Sequence, residues 1–132
     1  MIPGTFDYHR PNSVSEAIGL LAKLGEEARV LAGGHSLIPM MKLRMASPEH
    51  LIDLSAIGDL KGIYVEADTI KIGAMTTQYE LMQSDTLAKH LPIIAETSQV
   101  IADPQIRYKG TFGGNVANGD PGNDMPALMQ CL

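Results

Sequence analysis

The chain has 132 residues, 45% of them apolar, with charges of both signs throughout; this is the size and composition of one ordinary domain with a buried core and excludes a disordered segment. Fifteen Asp and Glu against ten Lys and Arg give a net charge of -5 with no basic stripe interleaved with aromatics, which leaves an extended nucleic-acid surface without support. The single cysteine, Cys131, excludes an internal disulfide and any Cys-ligated iron–sulfur cluster or zinc site on this chain.

The first residues, Met1-Ile2-Pro3-Gly4-Thr5-Phe6-Asp7-Tyr8, carry no basic region followed by a long apolar run. No apolar stretch approaches membrane-spanning length, so a cytoplasmic location with no membrane span is the expectation.

Ser13 and Glu16 make a capping-box pattern ahead of Val14, Ala17, Ile18, Leu21 and Leu24, which predicts a helix stopped by Gly25. Arg29 to Ala32 reads as a short buried strand running into Gly33-Gly34, and Leu37 to Met45 as a helix with Pro39 in its first turn. His50 to Leu54 is another strand. The order helix-strand-helix-strand predicts a small α/β lobe over residues 1–55.

A second lobe over residues 56–132 is expected to open on a hairpin, Gly62 to Glu66 and Thr69 to Gly73, turning at Ala67-Asp68. Thr77 and Glu80 repeat the capping-box pattern, and Leu91 to Ile101 is helix-like with Pro92 in the first turn and an end at Asp103-Pro104. Gly110 to Asn123 is dense in Gly, Asn and Asp and reads as a shaped binding loop, after which Asp124 caps a final short helix. The chain then stops at Cys131-Leu132 without a helix-end signal, as a truncated domain would.

Two segments share a pattern: Ala32-Gly33-Gly34-His35-Ser36 and Thr111-Phe112-Gly113-Gly114-Asn115. Consecutive glycines let a ligand approach the main chain and let adjacent N–H groups converge on an anion. Neither segment contains Lys or Arg, so a phosphate held there meets mostly main-chain donors, helped by His35, Ser36, Thr111 and Asn115. One Gly-Gly pair is most often only a turn; two such pairs flanked by hydrogen-bonding residues favour binding. Neither has P-loop or G-x-G-x-x-G spacing.

Ala32-Gly33-Gly34-His35-Ser36-Leu37 followed by Thr111-Phe112-Gly113-Gly114-Asn115 resembles the FAD-binding medium subunits of molybdenum-containing hydroxylases, with the aerobic carbon monoxide dehydrogenase type most similar. The likeness extends from Ile2–Tyr8 through Pro48–Leu51, Ile72–Thr77 and Ile101–Arg107. It implies a mixed α+β and α/β chain, the two-lobed FAD-binding fold of the vanillyl-alcohol oxidase-like (PCMH) type, C-terminally truncated. FAD is the implied cofactor, bound by Ala32, Gly33, Gly34, His35, Ser36, Leu37, Thr111, Phe112, Gly113, Gly114 and Asn115. Asp124 is either a partner for the adenosine ribose or a helix cap. Phe112 departs from the smaller aliphatic residue usual there.

The resemblance also implies partners: an iron–sulfur small subunit and a molybdenum-containing large subunit. The flavoprotein would pass electrons from iron–sulfur clusters to an external acceptor. No residue is expected to be catalytic, since no Ser/His/Asp or Cys/His arrangement is visible. Asp103, Asp120, Asn123 and Asp124 read as turn residues and no metal site is expected. Met40, Met41 and Met45 read as packing, and Arg107, Tyr108 and Lys109 as surface. Two other readings are a noncatalytic fragment or docking module that retains no FAD, and an oxidase with flavin attached at His35.

Overall fold

The computed structural model describes residues Met1–Leu132, which divide into two compact units, Met1–Asp59 and Leu60–Leu132. No helix is long and apolar enough to cross a membrane.

The first unit is a three-stranded parallel sheet with helical connections. Strand β1 (Asp7–His9) leads into helix α1 (Val14–Leu24), strand β2 (Ala28–Leu31), helix α2 (Leu37–Lys42) and strand β3 (His50–Asp53). The sheet order is β1-β3-β2, so the last strand lies in the middle. Leu51 and Ile52, consecutive on β3 and therefore on opposite faces, are both buried, as the central strand of a parallel sheet requires. Helix α1 packs against β2 and β3, with Ala17 buried.

Sequence patterning locates α1 closely. Ser13 Oγ accepts from the Glu16 N–H at 3.1 Å, while Glu16 reaches back to the Asn12 N–H at 2.8 Å; Gly25 ends the helix at φ +63°. Strand β1 escapes that reading because its three residues carry no apolar alternation, and it is defined by pairing with β3. The expected order therefore gains a leading strand.

The helix expected to reach Met45 ends at Lys42. Arg44 turns left-handed at φ +59°, its N–H bonds the Met41 carbonyl at 3.1 Å, and the Met45 N–H bonds the Met40 carbonyl at 2.9 Å. This is the two-bond closure that terminates helices, built here on arginine rather than glycine, which hides it in the sequence.

The second unit begins with the antiparallel hairpin β4 (Ile63–Glu66) and β5 (Thr69–Ile72), turning through Ala67 at φ +51° and Asp68. Five helices precede the C-terminal one: α3 (Gln78–Met82), α4 (Asp85–His90), α5 (Pro92–Val100), α6 (Pro104–Lys109) and α7 (Phe112–Asn118), followed by α8 (Asp124–Cys131). The Thr77–Glu80 capping box forms in full, and Pro92 opens α5. Leu81, Leu87, Ile94, Ile101 and Met125 make the core, with Phe112 and Val116 packed against it. The packed position of Phe112 shows how an aromatic side chain is accommodated there.

Two helices differ from expectation. The helix before Asp103-Pro104 does end there, but Asp103 also caps a further helix, α6, accepting from the Ile106 N–H at 3.0 Å. Residues 112–118, read as loop, form α7, closed by Gly119 at φ +65°. Arg107, the surface residue of α6, donates through Nη1 to the carbonyls of Gln99, Ile101 and Ala102 and so caps the end of α5.

In the first unit, the Tyr8 hydroxyl donates a short hydrogen bond to Asp53, whose other oxygen accepts from the Ser55 N–H at 2.8 Å. Partial burial of Asp53 opposes ionisation, but the bonds from Tyr8 and Ser55 and the nearby Arg10 outweigh it, holding the carboxyl below its usual range. Such a group adds stability above its unfolded pKa and loses it as pH falls through the folded one. Tyr8→Phe is therefore expected to lower stability more at neutral pH than at about pH 2, because falling pH progressively protonates the carboxyl and removes the contribution of its lowered pKa. Urea midpoints at the two pH values test this; an equal loss at both counts against it.

Candidate functional site

The first glycine motif is the connection from β2 to α2. Gly34 sits at φ +82°, a conformation that requires glycine, and a Cβ there would also lie 2.6 Å from Ile38 Cδ1, which would have to turn aside. The Gly34 carbonyl accepts from the Ile38 N–H at 2.9 Å, and that of Ser36 from Met40 at 3.3 Å. The N–H groups of Gly33, Gly34, His35 and Ser36 donate to no acceptor in the chain. His35 and Ser36 are exposed, and Ser36 makes no capping bond. Arg29, a nearby cation in sequence, bonds backward to the carbonyls of Glu26 and Ala28.

Four successive unpaired N–H groups in a turn with one left-handed residue make a concave, neutral donor set suited to an anion. Helix α2 adds little as a dipole, because it has only six residues. Leu37 is its first residue and half-buried.

The second motif is built differently. Thr111 is the N-cap of α7, and its hydroxyl accepts from the Gly114 N–H at 3.1 Å. The Phe112 N–H bonds the Thr76 carbonyl at 2.8 Å, that of Gly113 bonds Ala74 at 2.9 Å, and that of Asn115 bonds Thr111 at 3.1 Å. All four main-chain donors from 112 to 115 are thus engaged inside the unit.

Gly113 has its own packing reason: a Cβ would lie 2.5 Å from Ala74 Cβ and 2.8 Å from the Ala74 carbonyl oxygen. Buried Gln78 steadies the same place, donating through Nε2 to the Thr111 carbonyl at 3.4 Å and accepting from Ser98 at 3.0 Å. Thr111 is buried, so what the motif leaves without a partner inside the unit is the half-buried Asn115 amide Nδ2.

Asn115 also organises the entry to the last helix. Its Oδ1 accepts from the Met125 N–H at 3.2 Å, and its carbonyl accepts from Asn123 Nδ2 at 3.0 Å. Asn115 therefore supplies the cap of α8, with Asn123 in the capping position and Asp124 as the first helical residue. Asp124 is exposed and makes no hydrogen bond through its carboxylate, so it is free for a ligand hydroxyl. The Asn115 cap joins residues ten apart, which local patterning does not reveal.

Residues 4–132 match the family described as the FAD binding domain in molybdopterin dehydrogenase. The chain belongs to that family. This FAD-binding domain is 71% identical over its whole length to the carbon monoxide dehydrogenase medium chain of Afipia carboxidovorans, covering 46% of that protein. It superposes on a chain of the reconstituted CO dehydrogenase from Oligotropha carboxidovorans with TM-score 0.99 and 71% identity, covering 100% of this chain and 46% of that one. With quinoline 2-oxidoreductase from Pseudomonas putida the TM-score is 0.94 at 36% identity, covering 98% of this chain and 45% of the other. The domain thus spans about half the length of the relatives it matches.

The two motifs of the FAD-binding domain should respond differently to substitution. Gly113→Ala is expected to cost about 1–3 kcal/mol, because both neighbouring Ala74 atoms belong to backbone or a methyl that cannot rotate away. Asn115→Ala should cost about 1 kcal/mol through the lost cap, whereas Asn115→Asp keeps the acceptor and most of the stability. Thermal unfolding of the three variants measures this, and an Asn115→Asp loss as large as that of Asn115→Ala would contradict the capping role.

Proposed function

We propose that this domain holds FAD for the flavoprotein subunit of a molybdenum hydroxylase of the carbon monoxide dehydrogenase type. The intact protein takes electrons from an iron–sulfur small subunit and passes them to an external acceptor, while a molybdenum-containing large subunit oxidises the substrate. FAD, when bound, supplies the redox chemistry; the chain supplies binding and orientation. The reading is supported by family membership and by the relatives named above, carbon monoxide dehydrogenase chains and a quinoline 2-oxidoreductase. A docking module without flavin finds no comparable support.

The observation that carries it is the set of unpaired N–H groups at Gly33, Gly34, His35 and Ser36. These residues, flanked by Ala32 and Leu37, are assigned to the FAD pyrophosphate. Asn115 contributes a side-chain donor, and Thr111, Phe112, Gly113 and Gly114 are assigned to shaping the turn that presents it. Asp124 is assigned to the adenosine ribose. None of these residues is asked to be a nucleophile or a base. His35 is assigned to noncovalent contact.

Purified protein should be yellow and should release FAD on denaturation, leaving an unmodified polypeptide mass. Gly34→Ala should reduce bound FAD by roughly tenfold or more, since the added Cβ meets Ile38 and the residue resists φ +82°. Asp124→Asn should weaken binding by a smaller factor. Absorbance and acid-released flavin per chain are the readouts; an absence of FAD both from this chain and from one extended to the length of its relatives would overturn the assignment.

A further inference from the structure

The densest group of ligand-type side chains outside the glycine motifs lies at the opposite end of the first unit's sheet. All three parallel strands begin on one edge, at Asp7, Ala28 and His50, while Leu31 leaves the other edge into Ala32–Ser36. At the starting edge Glu27, Glu49 and His50 each offer one ligand atom, and these atoms lie within 4.8 Å of one another. His50 Nδ1 is 3.3 Å from His9 Nε2 and 3.7 Å from Asp7 Oδ2.

Strand register creates this group. Asp7 pairs with His50, so their side chains share a face, and His9, two residues along β1, returns to it. The Glu49 N–H bonds the Glu27 carbonyl at 3.0 Å, and the Asp7 N–H bonds the Glu49 carbonyl at 2.8 Å, which fixes the backbone on which the ligands stand.

Two observations set the group apart from a solvated acidic patch. Three carboxylates gather here, yet none has a Lys or Arg nitrogen within 4.0 Å; the ion pairs of the chain are His50–Asp7 and Lys71–Glu66. The imidazole among them is mostly buried, with 18% of its side chain exposed, and a second imidazole and a carboxylate flank its Nδ1. A carboxylate beside a histidine is the arrangement that fixes the ring of a metal-bound imidazole.

We propose that this edge binds one divalent cation of the zinc class, with Glu27, Glu49 and His50 as ligands, His9 and Asp7 as positioning residues, and water completing the sphere. An imidazole nitrogen with two carboxylates selects a borderline first-row ion over Mg2+ or Ca2+, which favour all-oxygen sets. The role is structural: the ion ties the turn entering β2 to the start of β3. A four-residue strand spans about 13 Å, so the site is separate from the glycine loop at the other edge.

Isothermal titration of the purified protein with Zn2+, and spectrophotometric titration with Co2+, test the proposal. One saturable equivalent is expected, with Co2+ bands typical of nitrogen and oxygen ligands and a Zn2+-dependent rise in Tm. His50→Gln and the double variant Glu27→Gln/Glu49→Gln should each lose roughly tenfold or more in affinity. The double variant changes two exposed side chains, and its Tm without metal should match the parent's, so it decides the matter even if His50→Gln folds poorly. Weak, unsaturable binding, affinity unchanged in the double variant, or a thiolate charge-transfer band from Cys131 would overturn the proposal.

Discussion

A main-chain N–H group removed from its usual partners must find an acceptor, and the two glycine motifs meet this constraint in opposite ways. From Gly33 to Ser36 the chain leaves a parallel strand and enters a six-residue helix without satisfying its donors internally. From Phe112 to Asn115 every donor is satisfied by Thr76, Ala74 or Thr111. Two segments alike in sequence are therefore unlike in chemistry: one leaves its backbone donors open, and the other spends its backbone on folding.

The difference traces to what each glycine pair is near. Gly34 needs its glycine for a left-handed turn beside Ile38, which opens the following N–H groups outward. Gly113 needs its glycine because Ala74 lies against it, and that approach is what brings the donors at 112 and 113 into bonding range of the segment after β5. Any side chain at 113 would break those bonds before it touched a ligand. In the first unit the absence of Lys and Arg from the loop has a further effect: a neutral donor set would hold an anion by short-range hydrogen bonds, which salt screens little.

Elements whose determinants are local were legible. Ser13, Gly25, Thr77 with Glu80, and Pro92 each marked a boundary that the structure keeps, because caps and proline act within one turn. Elements whose determinants are distant were not. Strand β1 exists through its pairing with residues more than forty positions away, and α7 was masked by glycines that packing against Ala74 makes tolerable in a helix. Arg44 closes α2 in a role normally given to glycine. Of the site, the residue types were readable as a donor-rich pair of loops, but whether each N–H was free depended on partners such as Thr76 and Ala74, which no spacing announces. Asn115 is the clearest instance, since its side-chain acceptor serves Met125, ten residues on.

Parallel strand order also assigns chemistry to the ends of the first unit. With β1, β2 and β3 all running one way, strand starts share one edge and strand exits the other, so residues far apart in sequence collect by position within the strand. At the exit edge the glycine loop has unpaired donors and no Lys or Arg of its own, while Arg10 and Asp53 stand at the ends of the neighbouring strands. At the starting edge the chain has Asp7, Glu27 and Glu49 around His50 with no Lys or Arg paired to them, which suits a cation. The difference between the edges arises from which residues flank each strand.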